Sequence, residues 1–189
     1  MNASPPVIDA SLRVLLLPGW QDSGPGHWQT LWEQQHGFVR VEQADWDWPR
    51  RGDWMARLDE VLQEDARPAV LVAHSLGCQL VASWADHSRH TDRVRAALLV
   101  APPDTEREDL PPNLFNWRPM RRPRLPFAAT VLASSDDPYC ELARAAGLAA
   151  DWGADFVALG PRGHLNGDSG LGDWPEGLQM LRALVQRAS

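Results

Sequence analysis

Residues Val70 to Leu80, "VLVAHSLGCQL", form an apolar run that breaks at His74 and Ser75 and then resumes. Two polar side chains in a buried segment each need a hydrogen-bond partner, or each costs roughly 1–3 kcal/mol. The residues before the break are short, branched and apolar, as in a strand buried on both faces. Those after it, Leu76 to Asp86, read as a helix. A serine between a strand and a helix, with small residues two positions to either side, fits the G-x-S-x-G nucleophile elbow, a tight turn that lifts the hydroxyl out of the fold. Here Ala73 takes the first glycine position and Gly77 the second, so the pattern is relaxed at one end only. The helix opening at Leu76 also aims free backbone N–H groups toward the serine, which suits an oxyanion.

Outward from this segment, strand-like and helix-like stretches alternate along the chain, the mark of an α/β fold with a mainly parallel sheet. Six strands are expected, at residues 12–18, 38–44, 68–75, 94–102, 127–133 and 154–160. Helices are expected at 27–36, at 54–65 behind an Asp53 cap, and at 76–86, 138–153 and 174–188, the last with Pro175 in its first turn. The expected strand order is 2-1-3-4-5-6, with the switch point between strands one and three. Between residues 102 and 126 runs a proline-rich stretch with no periodicity, a loop long enough to line or cover a site. The 189 residues suit one domain over 1–189, with residues 1–11 read as a flexible N-terminus.

Composition narrows the function classes. No apolar run approaches the roughly 20 residues of a membrane span, and the start "MNASPPVIDASLR" lacks the pattern of a secretion signal. Two cysteines, Cys78 and Cys140, are too few for a disulfide framework, so a cytoplasmic location is expected. A net charge of −7 argues against nucleic acid as a partner. The one basic cluster, Arg118 to Arg124, reads as a solvated surface in a proline-rich loop. No phosphate-binding glycine motif is present, and His87 to His90 with Asp86 and Asp92 reads as a helix-end loop rather than a metal site, so no cofactor and no metal are expected.

A serine needs a base, and in this fold the chain order is serine, acid, histidine, the last two following later strands. After strand five comes "SSDDPY", with Asp136 and Asp137; after strand six comes "GPRGHLNG", with His164. Asp137 is the favoured acid because Pro138 holds it extended, whereas Asp136 lies nearer the strand and suits the loop's own organisation. The Leu76 N–H would supply one oxyanion donor and the loop after strand one the other, through Trp20 or Gln21. Gln21, Ser23, His27, Trp28 and Trp117 are candidate substrate-pocket residues, His27 combining helix-start packing with pocket contact. His74 is read as structural, with its side chain leaving the turn on the side away from Ser75.

The stretches "LPGWQDSGPGHW", "VAHSLGCQL", "ASSDDPY", "WGADFVALG" and "GHLNGDSGLGDWPEG" resemble those of the YdeN-like serine hydrolases, which include the retinoblastoma-binding hydrolase of vertebrates. The resemblance spans about Leu12 to Leu184. It implies a compact α/β-hydrolase without a cap domain and a triad of Ser75, Asp137 and His164, but brings no settled natural substrate; the triad chemistry itself leads to the expectation of a small-molecule ester or amide substrate. It does not extend to a retinoblastoma-type partner, because the nearest match to L-x-C-x-E, "LGCQL", has Leu80 in place of the glutamate. The expected activity is carboxylesterase-like cleavage of small to medium substrates, with thioesterase and peptidase action left open. The competing class is a protein-interaction module on a hydrolase fold with incidental esterase activity. Such a module is expected to have lost triad or oxyanion residues.

Overall fold

A computed structural model describes residues 8–188 of the chain. Six parallel strands form one sheet: β1 (Arg13–Leu17), β2 (Val39–Arg40), β3 (Ala69–His74), β4 (Val94–Val100), β5 (Ala128–Ala133) and β6 (Asp155–Ala158), in the order β2-β1-β3-β4-β5-β6. The order and the parallel sense are those read from sequence. Side chains alternate between the sheet's faces, and both faces are covered, which is why the central strands are continuously apolar. Leu15, Leu17, Leu71, Ala73 and Leu99 pack under α2 (Arg51–Gln63), α3 (Leu76–Ala85) and α4 (Leu142–Trp152). On the other face Val14, Leu16, Val70, Val72 and Leu98 meet Trp28 and Trp32 of α1 (Trp28–His36) and Leu181 and Leu184 of α5 (Pro175–Arg187). No cap domain stands over the sheet among the described residues, and none of their helices is long and apolar enough to cross a membrane.

Several boundaries differ from expectation for identifiable reasons. β2 is two residues long because only Val39 and Arg40 pair with β1; the Arg40 guanidinium then turns inward to Asp22 and Glu33. Helix α2 starts at Arg51, so Asp53 lies in its first turn and caps nothing. The N-terminal donor Arg51 N–H is met by Asn116 Oδ1 at 2.7 Å, a partner 65 residues away. Helix α4 begins at Leu142 rather than 138, since Pro138 to Cys140 belong to the turn that follows Asp137. The 102–126 stretch contains a 3₁₀ helix at Pro112–Trp117, and its basic cluster is engaged, with Arg121 on Asp86 and Arg122 on Asp151 and Glu106. Of the expected flexible N-terminus, residues 1–7 lie outside the described residues. Residues 8–11 instead form a turn on Asp9, with Ile8 packed against the core.

Arg13 shows how the sheet fixes a helix end. Its side chain is buried and donates to the carbonyls of Val61 at 2.8 Å and Leu62 at 2.6 Å in the last turn of α2, where Val61 O otherwise has only the Glu64 N–H at 3.3 Å. Arg13→Met keeps the packed stem and removes these donors. We expect unfolding stability to fall by about 2–4 kcal/mol in urea titrations with circular dichroism unchanged. A loss within about 0.5 kcal/mol, the size of a surface substitution, would show that the helix end does not depend on Arg13.

Candidate active site

Ser75 closes β3 with φ 54° and ψ −122°, a backbone conformation L-residues seldom adopt and one that needs support from its surroundings. Its N–H donates to Val100 O of β4 at 2.9 Å. Two glycines supply the rest of the support. A Cβ on Gly77 would lie 2.2 Å from Leu17 O, and one on Gly19 would lie 2.8 Å from Cβ of Ser75. The end of β1 therefore presses directly on the start of α3, and only glycine fits at either contact. The Trp20 and Leu76 N–H groups, which flank this contact, donate to no protein acceptor among the described residues, whereas Gln21 N–H is spent on Trp46 O at 3.0 Å.

His164 arrives on the loop after β6. Its Nε2 lies 2.8 Å from Ser75 Oγ, and its Nδ1 lies 2.9 Å from both carboxylate oxygens of Asp137, whose side chain is 3% exposed. Asp137 also accepts the Tyr139 N–H at 2.9 Å. Its neighbour Asp136 does different work, accepting the Ser134 hydroxyl at 2.6 Å and the Gly163 N–H at 2.8 Å. The hydrogen bond from Ser134, then that from Gly163, holds its carboxyl below the usual carboxylate range. The four consecutive residues of the histidine loop are each held by a side chain. Arg162 N–H donates to Ser134 Oγ at 2.8 Å and Gly163 N–H to Asp136, His164 O lies 2.9 Å from His74 Nε2, and Leu165 O accepts Trp28 Nε1–H at 2.8 Å.

A cavity of about 660 Å³ opens above Ser75 and His164. Trp20 and Gln21 of the loop after β1 line it, as do Arg107, Leu110 and Leu114 of the 102–126 loop, with Tyr139 beside His164. Arg107 also donates to Pro138 O and pairs with Asp109 at 2.7 Å, tying the 102–126 loop to the loop that carries Asp137.

A family model described as serine hydrolase matches residues 14–183. The chain belongs to the serine hydrolase family. Among solved structures, a YdeN-like hydrolase from Pectobacterium atrosepticum is similar at 26% identity and TM-score 0.83, over 94% of this chain and 92% of its own. The ydeN product of Bacillus subtilis matches at 20% identity and TM-score 0.71, over 92% of this chain and 98% of its own. A carboxylesterase of Bacillus cereus shares the fold at 18% identity and TM-score 0.58, over 96% and 91% of the two chains. A search of curated proteins found no match.

In this serine hydrolase the structure brings together Ser75, Asp137, His164, Leu76, Trp20, Gln21 and His27 around one cavity or its hydrogen-bonded wall. Three of the residues expected in the pocket lie behind it. Ser23 is buried and donates to Gln29 Oε1 at 2.7 Å; Trp28 is packed between Trp32 and Trp174 and donates to the histidine loop. Trp117 is buried against Trp54, with its N–H on Pro49 O at 2.8 Å. His74, expected to point away from the site, lies with its ring 4.9 Å from that of His164 and reaches the cavity wall. Arg107, Leu110, Leu114 and Tyr139 carry no sequence signal beyond membership of two loops that follow strand ends. Cys78 is buried with its thiol pushed well up by burial, which keeps it protonated and unreactive.

Burial, then Arg40 and His164, push His27 down to about 3, and burial, then His27 and His164, push His74 well below its ordinary 6.5. Both rings are neutral when folded yet take a proton near 6.5 when unfolded. Below that pH the unfolded chain binds up to two more protons, so this contribution is complete above about pH 6.5 and falls on acidification. The limiting slope is about 1.4 kcal/mol per pH unit for each ring. Urea midpoints taken from about pH 7.5 down to pH 5 should fall accordingly, and His27→Gln should remove one ring's share. Equal slopes in the two proteins would show that His27 does not stay neutral when folded.

Proposed function

We propose that this serine hydrolase cleaves small to medium carboxylic esters through an acyl-enzyme on Ser75, the chain acting as a single domain. One observation carries the reading: His164 bridges the Ser75 hydroxyl at 2.8 Å and a buried Asp137 carboxylate at 2.9 Å. In this arrangement His164 Nε2 takes the hydroxyl proton as Ser75 Oγ attacks the carbonyl carbon, and Asp137 orients the ring and balances its positive charge. The same proton then passes to the leaving alcohol. Water, deprotonated by His164, attacks the acyl carbon, releases the acid and returns the hydrogen to Ser75. Leu76 N–H and Trp20 N–H, which have no protein acceptor among the described residues, hold the oxyanion; Gln21 N–H already has its acceptor.

Substrate size follows from the walls. A cavity of about 660 Å³ is within the usual range for small-molecule sites, and no separate cap extends it among the described residues. The Trp20, Leu110 and Leu114 side chains supply apolar surface for a short acyl or alkyl group. The unpaired Cys78 and Cys140, both buried, fit a reducing compartment, in line with a cytoplasmic enzyme.

A fluorophosphonate probe should label the wild-type protein and leave Ser75→Ala unlabelled; absence of wild-type labelling would refute the catalytic reading. Asp137→Asn should lower kcat/KM by about 10³–10⁴-fold, whereas Asp136→Asn should act mainly on stability. In a panel of p-nitrophenyl esters, acetate and butyrate should exceed long-chain esters in kcat/KM. A preference for the long chains would overturn the size argument.

A further inference from the structure

His27 and His74 form a directed chain of hydrogen bonds that ends on the candidate base. His27 Nδ1 accepts the Gln29 backbone N–H at 3.1 Å, and its Nε2 lies 3.3 Å from His74 Nδ1. His74 Nε2 lies 2.9 Å from the carbonyl oxygen of His164. The protons follow from the two ends, because a backbone N–H can only donate and a carbonyl oxygen can only accept. The Gln29 N–H leaves His27 Nδ1 bare, which in a neutral ring puts the proton on Nε2. The His164 carbonyl requires the proton of His74 on Nε2, which leaves its Nδ1 bare. The two assignments, made from opposite ends, agree at the shared bond, where His27 Nε2–H donates to His74 Nδ1. Burial, the largest influence, favours the neutral form of both rings; the charges of Arg40 on His27 and of His164 on both rings press the same way, and only the hydrogen bond from His74 to the His164 carbonyl opposes them.

We propose that His74, locked in its Nε2–H tautomer by His27 and Gln29, is a positioning residue that fixes the backbone of His164 relative to Ser75. This rests on the catalytic reading above. All four ring nitrogens of the pair are engaged, so neither histidine offers one to a substrate, and His27 acts through His74 rather than on the ligand. His74 and Ser75 are chain neighbours, so one bond ties the His164 carbonyl to the same turn that its ring addresses through Ser75 Oγ. The loop needs such a tie: Gly163 and Leu165, on either side of His164, have φ of 59° and 50°, and no strand or helix holds them. Neutrality serves the same end, since a charged His74 with its ring 4.9 Å from His164 would oppose the imidazolium formed during catalysis.

Two-bond ¹H–¹⁵N spectra of labelled protein should show His27 and His74 as neutral Nε2–H tautomers across pH 5–8, the range in which a free histidine titrates. His74→Phe keeps the ring and removes both nitrogens. It should lower kcat on a p-nitrophenyl ester by up to about 100-fold while KM changes by less than about threefold. His74→Gln places an amide N–H near the position of Nε2 and should recover most of that loss. His74→Asn reaches only the Nδ1 position and should not. A His74 that is cationic or protonated on Nδ1, or a His74→Phe enzyme with unchanged kcat, would overturn the proposal. Should His74→Phe fail to fold, the wild-type tautomers and the contrast between Gln and Asn decide. Fluorophosphonate labelling keeps the two readings apart: an unlabelled wild-type protein refutes the catalysis and leaves the tautomer measurement intact, whereas equal labelling rates in wild type and His74→Phe refute the positioning role alone.

Discussion

The contact on which the candidate site depends is the one between the end of β1 and the first turn of α3, where Gly77 meets Leu17 O at a distance no side chain allows. It follows from topology. β1 and β3 are adjacent in the sheet, but the helix after β1 lies on one face and the helix after β3 on the other. Their connecting loops therefore diverge, and a crevice opens between them at the carboxyl ends of the strands. Gly19 and Gly77 let the two backbones close beneath that crevice, so the unspent N–H groups of Trp20 and Leu76 come from different loops yet flank the same serine. Ala73 shows how local the requirement is. It lies within β3, fully buried, where a methyl group fits the core, so of the two small-residue positions of the elbow pattern only the second, Gly77, is held to glycine.

The loop after β6 poses the opposite problem, since it has no regular structure to define it. Its geometry comes from side chains of three separate elements: Ser134 and Asp136 after β5, His74 at the end of β3, and Trp28 at the start of α1. The adjacent aspartates divide the labour by exposure. Asp137, with its side chain almost wholly enclosed, faces the His164 ring, while the more exposed Asp136 bonds the backbone before it. A carboxylate used to hold backbone N–H groups is an anchor, and one with both oxygens turned to an imidazole is able to stabilise its charge.

The sequence made legible the sheet order and the three loops that bring Ser75, Asp137 and His164 together, because both follow from local pattern. Apolar runs mark strands covered on both faces, and loops that follow those runs hold the polar residues of a site. What stayed illegible depended on partners distant in the chain. Asp53 had the right chemistry for a cap, but Asn116 supplies the acceptor at that helix start. Ser23, Trp28 and Trp117 lie in or beside the right loops, and their side chains turn inward to Gln29, Leu165 and Pro49. His74 was legible as structural and not as a neighbour of His164, because the carbonyl it meets is 90 residues away.

The same logic accounts for a composition of ten tryptophans against four phenylalanines and one tyrosine. An indole combines a large apolar body with a single donor, so it can fill a core and hold a carbonyl at the core's edge. Trp28 and Trp32 pack against the sheet while donating to Leu165 and Asp173, both in the loop between β6 and α5. Trp20, Trp54 and Trp117 donate to Asp47, Asp45 and Pro49, fixing the stretch between β2 and α2 against the cavity wall; Trp152 donates to Arg121 at the end of the long loop. Phenylalanine would fill most of the same space and leave these carbonyls without their donor. A fold whose site is built almost entirely from irregular loops gains more from a core residue that also holds a loop than from one that only packs. Trp174 bounds the argument: its buried Nε1 has no partner among the described residues, and its ring instead closes the stack with Trp28 and Trp32.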